Sequence, residues 1–520
     1  MKKFFIINLL LLFAPYFIIA QLSPNNYKLF FDRKNLDKIN SINPLSNSVS
    51  DIIVIGDTIW LGTSRGVSLS IDNGKTWVNF YGRDDFGTDL ISAIGYNNDT
   101  FWCGTAKSTE VTGGSTLPEG TGLKYTTDLG ESWHSIPQPV DDPNDDTIIY
   151  GNNTIMALPV TVTIQNLVYD IAFTGDTIWI ATFAGGLRKS SNNGQTWQRV
   201  VLPPDNLNSI SPDDTLDFCL SPVGGNFCSE GNLNHRVFSV VSTDENVLYV
   251  GTADGINKST DGGMSWVKFN AQNQDEPISG NFVTALAYNN YNDELWASTW
   301  RAESQSEFYG VSSTTDSGQT WSTFLRDEKP HNFGFQNGQV FTATDNGIFR
   351  TTNSGLSWIL PNSITDSETE VTLQTNVFYC ATTNTNKIWL GSNDGLVSLI
   401  EIPDKIWQGD WKIYFASQPL TSKGETYCYP NPFSPRQEEL KIKYSTGGED
   451  ANVTIRIYDF SFNYVRTVIQ NVTRNRNLEG PPEYWDGLDE NGNFVPNGVY
   501  FYRVDINDDD PLFGKILVVQ

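Results

Sequence analysis

Apolar and polar positions alternate along this chain in short runs, broken by turns rich in Gly, Asp and Asn. The segments DIIVIGDTIWLGTSRGVSLS (51–70), DIAFTGDTIWIATFAGGLRKS (170–190) and VFSVVSTDENVLYVGTADGINKS (237–259) each read as successive β-strands. Behind strands of this kind stands an eight-residue pattern, Ser/Thr-x-Asp/Asn-x-Gly-x-Thr/Ser-Trp, in six copies: SIDNGKTW (70–77), TTDLGESW (126–133), SSNNGQTW (190–197), STDGGMSW (259–266), TTDSGQTW (314–321) and TTNSGLSW (351–358). The acid or amide at its third place (Asp72, Asp128, Asn192, Asp261, Asp316, Asn353) suits a side chain folded back onto backbone N–H groups. Gly at the fifth place suits positive φ. The closing Trp (Trp77, Trp133, Trp197, Trp266, Trp321, Trp358) suits packing beneath the turn. Each unit is therefore expected to supply four strands, A to D, with the turn motif joining C to D.

Seven units are counted. Six carry the motif, and a seventh, about 375–416, keeps NKIWLGSNDGLVSL and an outer strand WKIYFA without it. Four-stranded units that bury their faces against neighbours around an axis predict a β-propeller. YKLFF (27–31) has the pattern of an outer strand and is expected to pair with the last blade and seal the ring. With the motifs in hand, residues 49–416 resemble the Asp-box (BNR) repeats of sialidases, sortilin-type receptors, xyloglucanases and the photosystem II assembly factor. IWLGT and IWLGS resemble propellers of periplasmic sensor proteins. The resemblance implies fold; these families share a turn and little chemistry.

After Tyr429 the pattern changes. KIKY, VTIRIYD, YVRTVI, YWDGLDENGNFVPNGVYFYRV and GKILVVQ predict a small antiparallel β-sandwich. Tyr429-Pro430-Asn431-Pro432, Ile457-Tyr458-Asp459, Trp485-Asp486-Gly487, Asn497-Gly498-Val499-Tyr500 and Lys515-Ile516-Leu517-Val518-Val519 resemble the immunoglobulin-like domain of the flagellar hook-capping protein and, equally, the C-terminal sorting domain of type IX secretion substrates. The likeness implies a Gram-negative bacterium, export across its outer membrane and attachment or release at the surface, with the secretion machinery as a partner. The chain departs from many sorting domains in ending at Gln520 rather than in a basic tail, which leaves a structural cap as the alternative. Asp486, Asp489, Asn491 and Asn493 crowd one stretch, but their spacing is that of an Asn/Gly hairpin turn and not of an EF-hand loop.

The whole is thus all-β: a signal peptide (1–20), an N-terminal segment (21–48), a seven-bladed β-propeller (49–420) and a small immunoglobulin-like β-sandwich (421–520). Lys2 and Lys3 followed by an apolar run to Ile19, broken by Asn8 and Pro15, read as a signal peptide cleaved after Ala20 rather than as a bilayer span. A net charge of −26 argues against nucleic acid and anionic lipid as partners. Of five cysteines, Cys219 and Cys228 flank SPVGGNF and are the candidate disulfide, while Cys103, Cys380 and Cys428 have no assignable partner. Three histidines without a Cys/His cluster call for no metal, and nothing calls for a cofactor.

Strand parity puts the turn motifs on the lower face and the B–C and D–A connections on the upper. The long connections, 105–121, 137–165, 203–235 and 299–310, are all upper ones and are expected to carry function. In STWRAESQSEFYG, Trp300, Arg301, Glu303 and Tyr309 are the candidate ligand-binding group, the alternative being a loop folded over its own aromatic. Counting back from the Trp or Tyr of strand B aligns Asp51, Ser92, Asp170, Ser239, Thr284 and Tyr379 as channel-lining residues. Asp51 and Asp170 are candidate catalytic carboxylates for glycoside hydrolysis, against the commoner reading of polar groups solvating a channel. A sialidase is disfavoured because no Phe/Tyr-Arg-Ile-Pro stretch is present, and a two-propeller xyloglucanase because one propeller fills the chain. A secreted or surface binding protein for a glycan or extracellular protein is the preferred reading, with a glycoside hydrolase and a structural surface spacer as alternatives.

Overall fold

In a computed structural model the chain is described at residues 41, 43–111, 115–368, 371–373, 375–384, 386–416, 424–429, 431–436, 439–446, 449–474 and 482–520. The expected signal peptide and the expected closing strand 27–31 lie outside the described residues. Seven antiparallel sheets follow one another, beginning with the inner strands Val49–Ile55, Leu90–Asn97, Val168–Thr174, Val237–Ser242, Phe282–Asn289, Pro330–Gln336 and Phe378–Thr383. Each inner strand packs on the next and the seventh packs on the first, so the sheets are blades around one axis. Strand B of each blade is a nearly continuous buried run, such as Thr58–Thr63 (TIWLGT), because both faces of a blade are covered by neighbours.

Blade 6 departs from the expected four strands. Its sheet has three, Pro330–Gln336, Gln339–Thr344 and Gly347–Thr351, and the fourth is reduced to a single bridge between Arg350 and Ile359. Blade 7 has its own outer strand, Gly409–Tyr414, and the ring is closed side by side. At that seam Trp77 stands edge-on to Trp389 and Tyr414, and Asn47 donates to Asp394 at 2.8 Å.

The turn motifs are near copies in atomic detail. In the first, the Ser70 hydroxyl accepts from the Gly74 amide at 2.9 Å, and the Asp72 carboxylate accepts from the Lys75 and Thr76 amides and the Thr76 hydroxyl at 2.7–3.0 Å. The motif Gly has positive φ, +82° at Gly74 and +95° at Gly318, and its Cα faces an apolar side chain of the preceding blade. Gly74 meets Trp389 of blade 7, Gly130 meets Phe80 of blade 1, and Gly318 meets Phe269 of blade 4. The motif is thus a seam device as well as a turn. Blade 7 lacks it, and there Arg350 of blade 6 pairs with Glu401 at 2.5 and 3.0 Å while the Trp407 indole donates to Ile359 O at 2.9 Å.

The long connections between blades 2, 3 and 4 do not project as free upper loops. Strands Thr147–Tyr150, Asn153–Ala157 and Cys219–Leu220 form a separate three-stranded sheet, and Ser209–Ile210 adds a fifth strand to blade 4. Tyr150 donates to Met264 O, inside the fourth turn motif, so this sheet reaches the lower edge. Asp141 anchors it to blade 3 through a bidentate, buried pair with Arg188 at 2.7 and 2.9 Å. Cys219 and Cys228 are disulfide-bonded, Cα atoms 5.8 Å apart, and Cys103 and Cys380 are free and buried. Ile210, inside the expected 203–235 connection, is core here together with Val200, Val201 and Leu202 just before it, and Leu207, Leu216, Phe218 and Leu220 pack against them, which is why the connection folds inward.

Beyond the propeller two antiparallel sheets pack face to face. One orders Thr426–Tyr429, Leu440–Tyr444 and Glu483–Trp485; the other Tyr464–Arg474, Ala451–Tyr458, Gly498–Ile506 and Leu512–Val518. Phe433, Ile455, Trp485 and Tyr502 are central to their shared core. In the Asn-rich stretch, Asp489 accepts from the Asn491 and Asn493 amides at 2.8 and 2.9 Å, the bonding of a turn. Among the described residues no helix is long and apolar enough to cross a membrane.

Candidate functional site

Near its upper end every inner strand carries a β-bulge at the same place, opposite the step between two residues of strand B. A bulge sets two residues against one and re-aims the side chains there. The first bulge residues in blades 1 to 7 are Ser50, Ser92, Tyr169, Phe238, Thr284, His331 and Tyr379. The second are Asp51, Ala93, Asp170, Ser239, Ala285, Asn332 and Cys380. The alignment expected from sequence therefore mixes the two sets. Asp51, Asp170 and Ser239 are equivalent, but Ser92, Thr284 and Tyr379 belong one residue earlier, and blade 6 was passed over because Phe341 stands where the other blades have Trp or Tyr.

The first set, with Asp51, Asp170, Ala285 and Asn332 of the second, surrounds a cavity of about 450 Å³ on the axis, to which all seven blades contribute. Ser239, expected to line the channel, is instead buried, its hydroxyl donating to Val283 O at 3.4 Å. Its wall is two-sided. From blade 3 round to blade 7 runs a chain of rings: Tyr169 to Phe238 (5.3 Å between centroids), Phe238 to Phe282 (4.6 Å), Phe282 to Trp300 (5.8 Å), Trp300 to His331 (5.9 Å) and His331 to Tyr379 (5.4 Å). Successive rings are inclined by 58–84°, the edge-to-face geometry that aromatic quadrupoles favour. Across the axis, blades 1 and 2 offer Ser50, Asp51 and Ser92. The Ser92 hydroxyl has no hydrogen-bond partner within the protein.

The carboxyl groups are tied to the backbone to different degrees. Asp170 accepts from its neighbour Ile171 N at 2.8 Å and from Val240 N of blade 4 at 2.9 Å, so both oxygens are used and one bond crosses a seam. Asp51 accepts only from Ile52 N, at 2.8 Å, and its Oδ2 is left to the cavity. Asn332 makes the same contact to Phe333 N at 2.8 Å. Burial pushes Asp51 up to about 7 against the hydrogen bond from Ile52. It does the same for Asp170, also to about 7, with the charge of Asp51 adding to the rise against the bonds from Val240 and Ile171.

Of this chain of rings Tyr169, Phe238, His331 and Tyr379 line the cavity, and Phe282 and Trp300 lie behind them. Trp300 is held there by its own loop. Its indole donates to Pro330 O at 2.9 Å, and its ring meets Tyr309 edge-on at 5.9 Å. Lys329 covers both rings, at 5.8 and 5.2 Å. The 299–310 connection is thus folded over its own aromatic pair, while Arg301 and Glu303 are exposed. The acid that organises the loop is Glu307, which sequence reading missed. It is buried and accepts from Ala302 N, Ser304 N, Asn281 N and the Gln272 amide at 2.7–3.3 Å. Among the described residues no three His, Cys, Asp or Glu side chains are grouped to hold a metal ion.

No family model matches the sequence, and no curated protein matches it. Among solved structures the chain is similar to PorZ, an essential bacterial surface component of the type IX secretion system of Porphyromonas gingivalis (14% identity, TM-score 0.36, covering 91% of this chain and 66% of that one). It is similar also to YCF48 bound to D1 peptide (13%, 0.43, 70% and 96%). The chain thus spans about two thirds of the length of the first of these. A GH74 enzyme from Niastella koreensis is a third such structure, at 14% identity and a TM-score of 0.45, covering 91% of this chain and 73% of that one.

Proposed function

We propose that this is a secreted or cell-surface binding protein that takes an extracellular partner, a glycan or a protein segment, at the upper mouth of its propeller, and that its C-terminal sandwich serves secretion or anchoring. One observation carries the reading: the cavity of about 450 Å³ faces rings from four blades, Tyr169, Phe238, His331 and Tyr379, on one side and hydroxyl and carboxyl groups on the other. A concavity that joins aromatic side chains to a few convergent polar groups is a usual form of a binding site. The residues supporting it are Tyr169, Phe238, His331 and Tyr379, with Trp300 and Tyr309 as the layer behind them. Arg301 and Glu303, at the rim, are second contacts for a large partner. Asp170, with both oxygens bonded to amides, serves the seam.

The test is a glycan and protein array probed with the full mature chain, alongside Tyr379→Ala and Phe238→Ala. Binding that both variants abolish supports the reading. Release of reducing sugar, lost in Asp51→Asn or Asp170→Asn, would replace it with a glycoside hydrolase. Binding that survives both aromatic variants moves the site elsewhere.

A further inference from the structure

The cavity holds an acid with no counter-charge among the described residues. Several acids elsewhere do have one: Asp141 is matched by Arg188, Glu401 by Arg350 and Asp254 by Lys268, at 2.5–2.7 Å. Glu307 is matched by four hydrogen-bond donors instead. Among the described residues lining the cavity there is no Lys or Arg; the basic group there, His331, is bound by Nε2 to Asp345 at 2.8 Å. Asp51 faces this space with one oxygen unbonded. A buried carboxyl without counter-charge or full hydrogen bonding is costly, and the cost falls when a cation enters.

The arc suits the same cation. The rings that line the cavity are inclined rather than coplanar, by 58° between Tyr169 and Phe238 and 77° between His331 and Tyr379, so they offer no single flat platform for a stacked sugar ring and serve a compact charge better. Cations already rest on its outer layer, Lys329 over Trp300 and Tyr309, and Arg236 over Phe183, which touches Phe238. The free acceptor at Asp51 asks for an N–H donor, which a primary ammonium has and a quaternary one lacks. An apolar stem can lie along the rings while its head reaches the acid. Resting on the site assigned under the proposed function, we infer that the group entering the channel mouth is a primary alkylammonium, the side chain of a lysine on a protein partner.

The experiment titrates the full mature chain at pH 8 with a blocked Gly-Lys-Gly peptide and its ε-acetylated form, read by calorimetry, with Asp51→Asn and Tyr379→Ala in parallel. Asn is structurally tolerated at this bulge, since Asn332 makes the same backbone bond in blade 6. The lysine peptide is expected to bind about tenfold or more tightly than the acetylated one, and to lose about that factor in Asp51→Asn. If both peptides bind alike and both are lost in Tyr379→Ala, the mouth is a site but the cation inference falls. If affinity ignores both variants, the mouth is not the site and both readings fall. No binding of the lysine peptide, or tighter binding of choline or a glucosamine oligomer, overturns lysine as the occupant.

Discussion

The lower turns and the upper bulges occupy the same blades and obey different constraints. Below, Thr126 repeats for Gly130 what Ser70 does for Gly74, with the same 2.9 Å hydroxyl contact, and Ser259 does it again for Gly263. Above, one equivalent place is Ser in blades 1 and 2, an aromatic ring in blades 3, 4 and 7, Thr in blade 5 and His in blade 6. The turn must close within eight residues and fit the preceding blade's side chains, so its chemistry is fixed twice. The bulge side chain meets only the cavity and its neighbours, so it is free to differ. Repetition here marks assembly, and its breakdown marks the cavity proposed to take a ligand.

The largest expected effect breaks the lower face. An alanine Cβ at Gly318 would stand 2.6 Å from the Phe269 ring at a φ of +95°, so Gly318→Ala should cost about 3 kcal/mol in denaturant unfolding. Gly262, in the fourth motif but one place earlier, has φ +71° and nothing nearer than 4.0 Å; there Ala should cost only about 1 kcal/mol. Equal losses at the two sites would mean that backbone conformation, not the seam, is what the glycine serves.

Next come two carboxyls whose pH responses run in opposite directions. At Asp316 burial raises the acid, but the bonds from Thr320, Thr314 and Gln319 outweigh it and bring it down to about 2 from an ordinary 3.8. Such a depressed acid adds stability above pH 4 that is lost as pH falls toward 2. Asp316→Asn, the residue that motifs three and six already use, should hold the fold at neutral pH and flatten that acid limb. Asp51 is raised to about 7, so between 3.8 and 7 the folded chain keeps a proton that the unfolded chain releases, and stability falls as pH rises. Asp51→Asn should therefore match the parent at pH 4 and melt above it at pH 8. A parallel pair of melting curves across that range would show that the acid is not buried in this sense.

The smallest effect is expected at the mouth itself. Tyr169 is 36% exposed and touches Phe238 alone among the rings, so Tyr169→Ala should change stability by less than about 1 kcal/mol while weakening any ligand held in the cavity. A loss comparable to that at Gly318 would make the arc a structural element.

The motif turns were legible because their bonds are local: Asp72 and its donors lie within four residues of one another, and residue type alone suffices to specify them. The candidate site was legible only in part. Asp51, Asp170 and Tyr379 were found, but counting along a strand cannot locate a bulge, because the extra residue is defined by what strand B presents opposite it. His331 and Asn332 were lost because blade 6 carries Phe341 where the count starts from Trp or Tyr. Glu303 stood out in the sequence and is exposed, while Glu307, four places on, has four donors that converge from three separate segments.

By itself, then, the sequence determined the alternation of strands, the six seam turns and the pairing of apolar runs into buried blades, all of which follow from contacts between residues close along the chain. Tertiary structure alone decided that the long connections of blades 2 and 3 join in a separate sheet, Met156 beside Cys219, rather than rising as loops. It also decided where each bulge falls on its inner strand, and that Asp51 meets the cavity without a lysine or arginine among the described lining residues. Those outcomes depend on groups brought together from distant segments, and no local pattern encodes the distance between them.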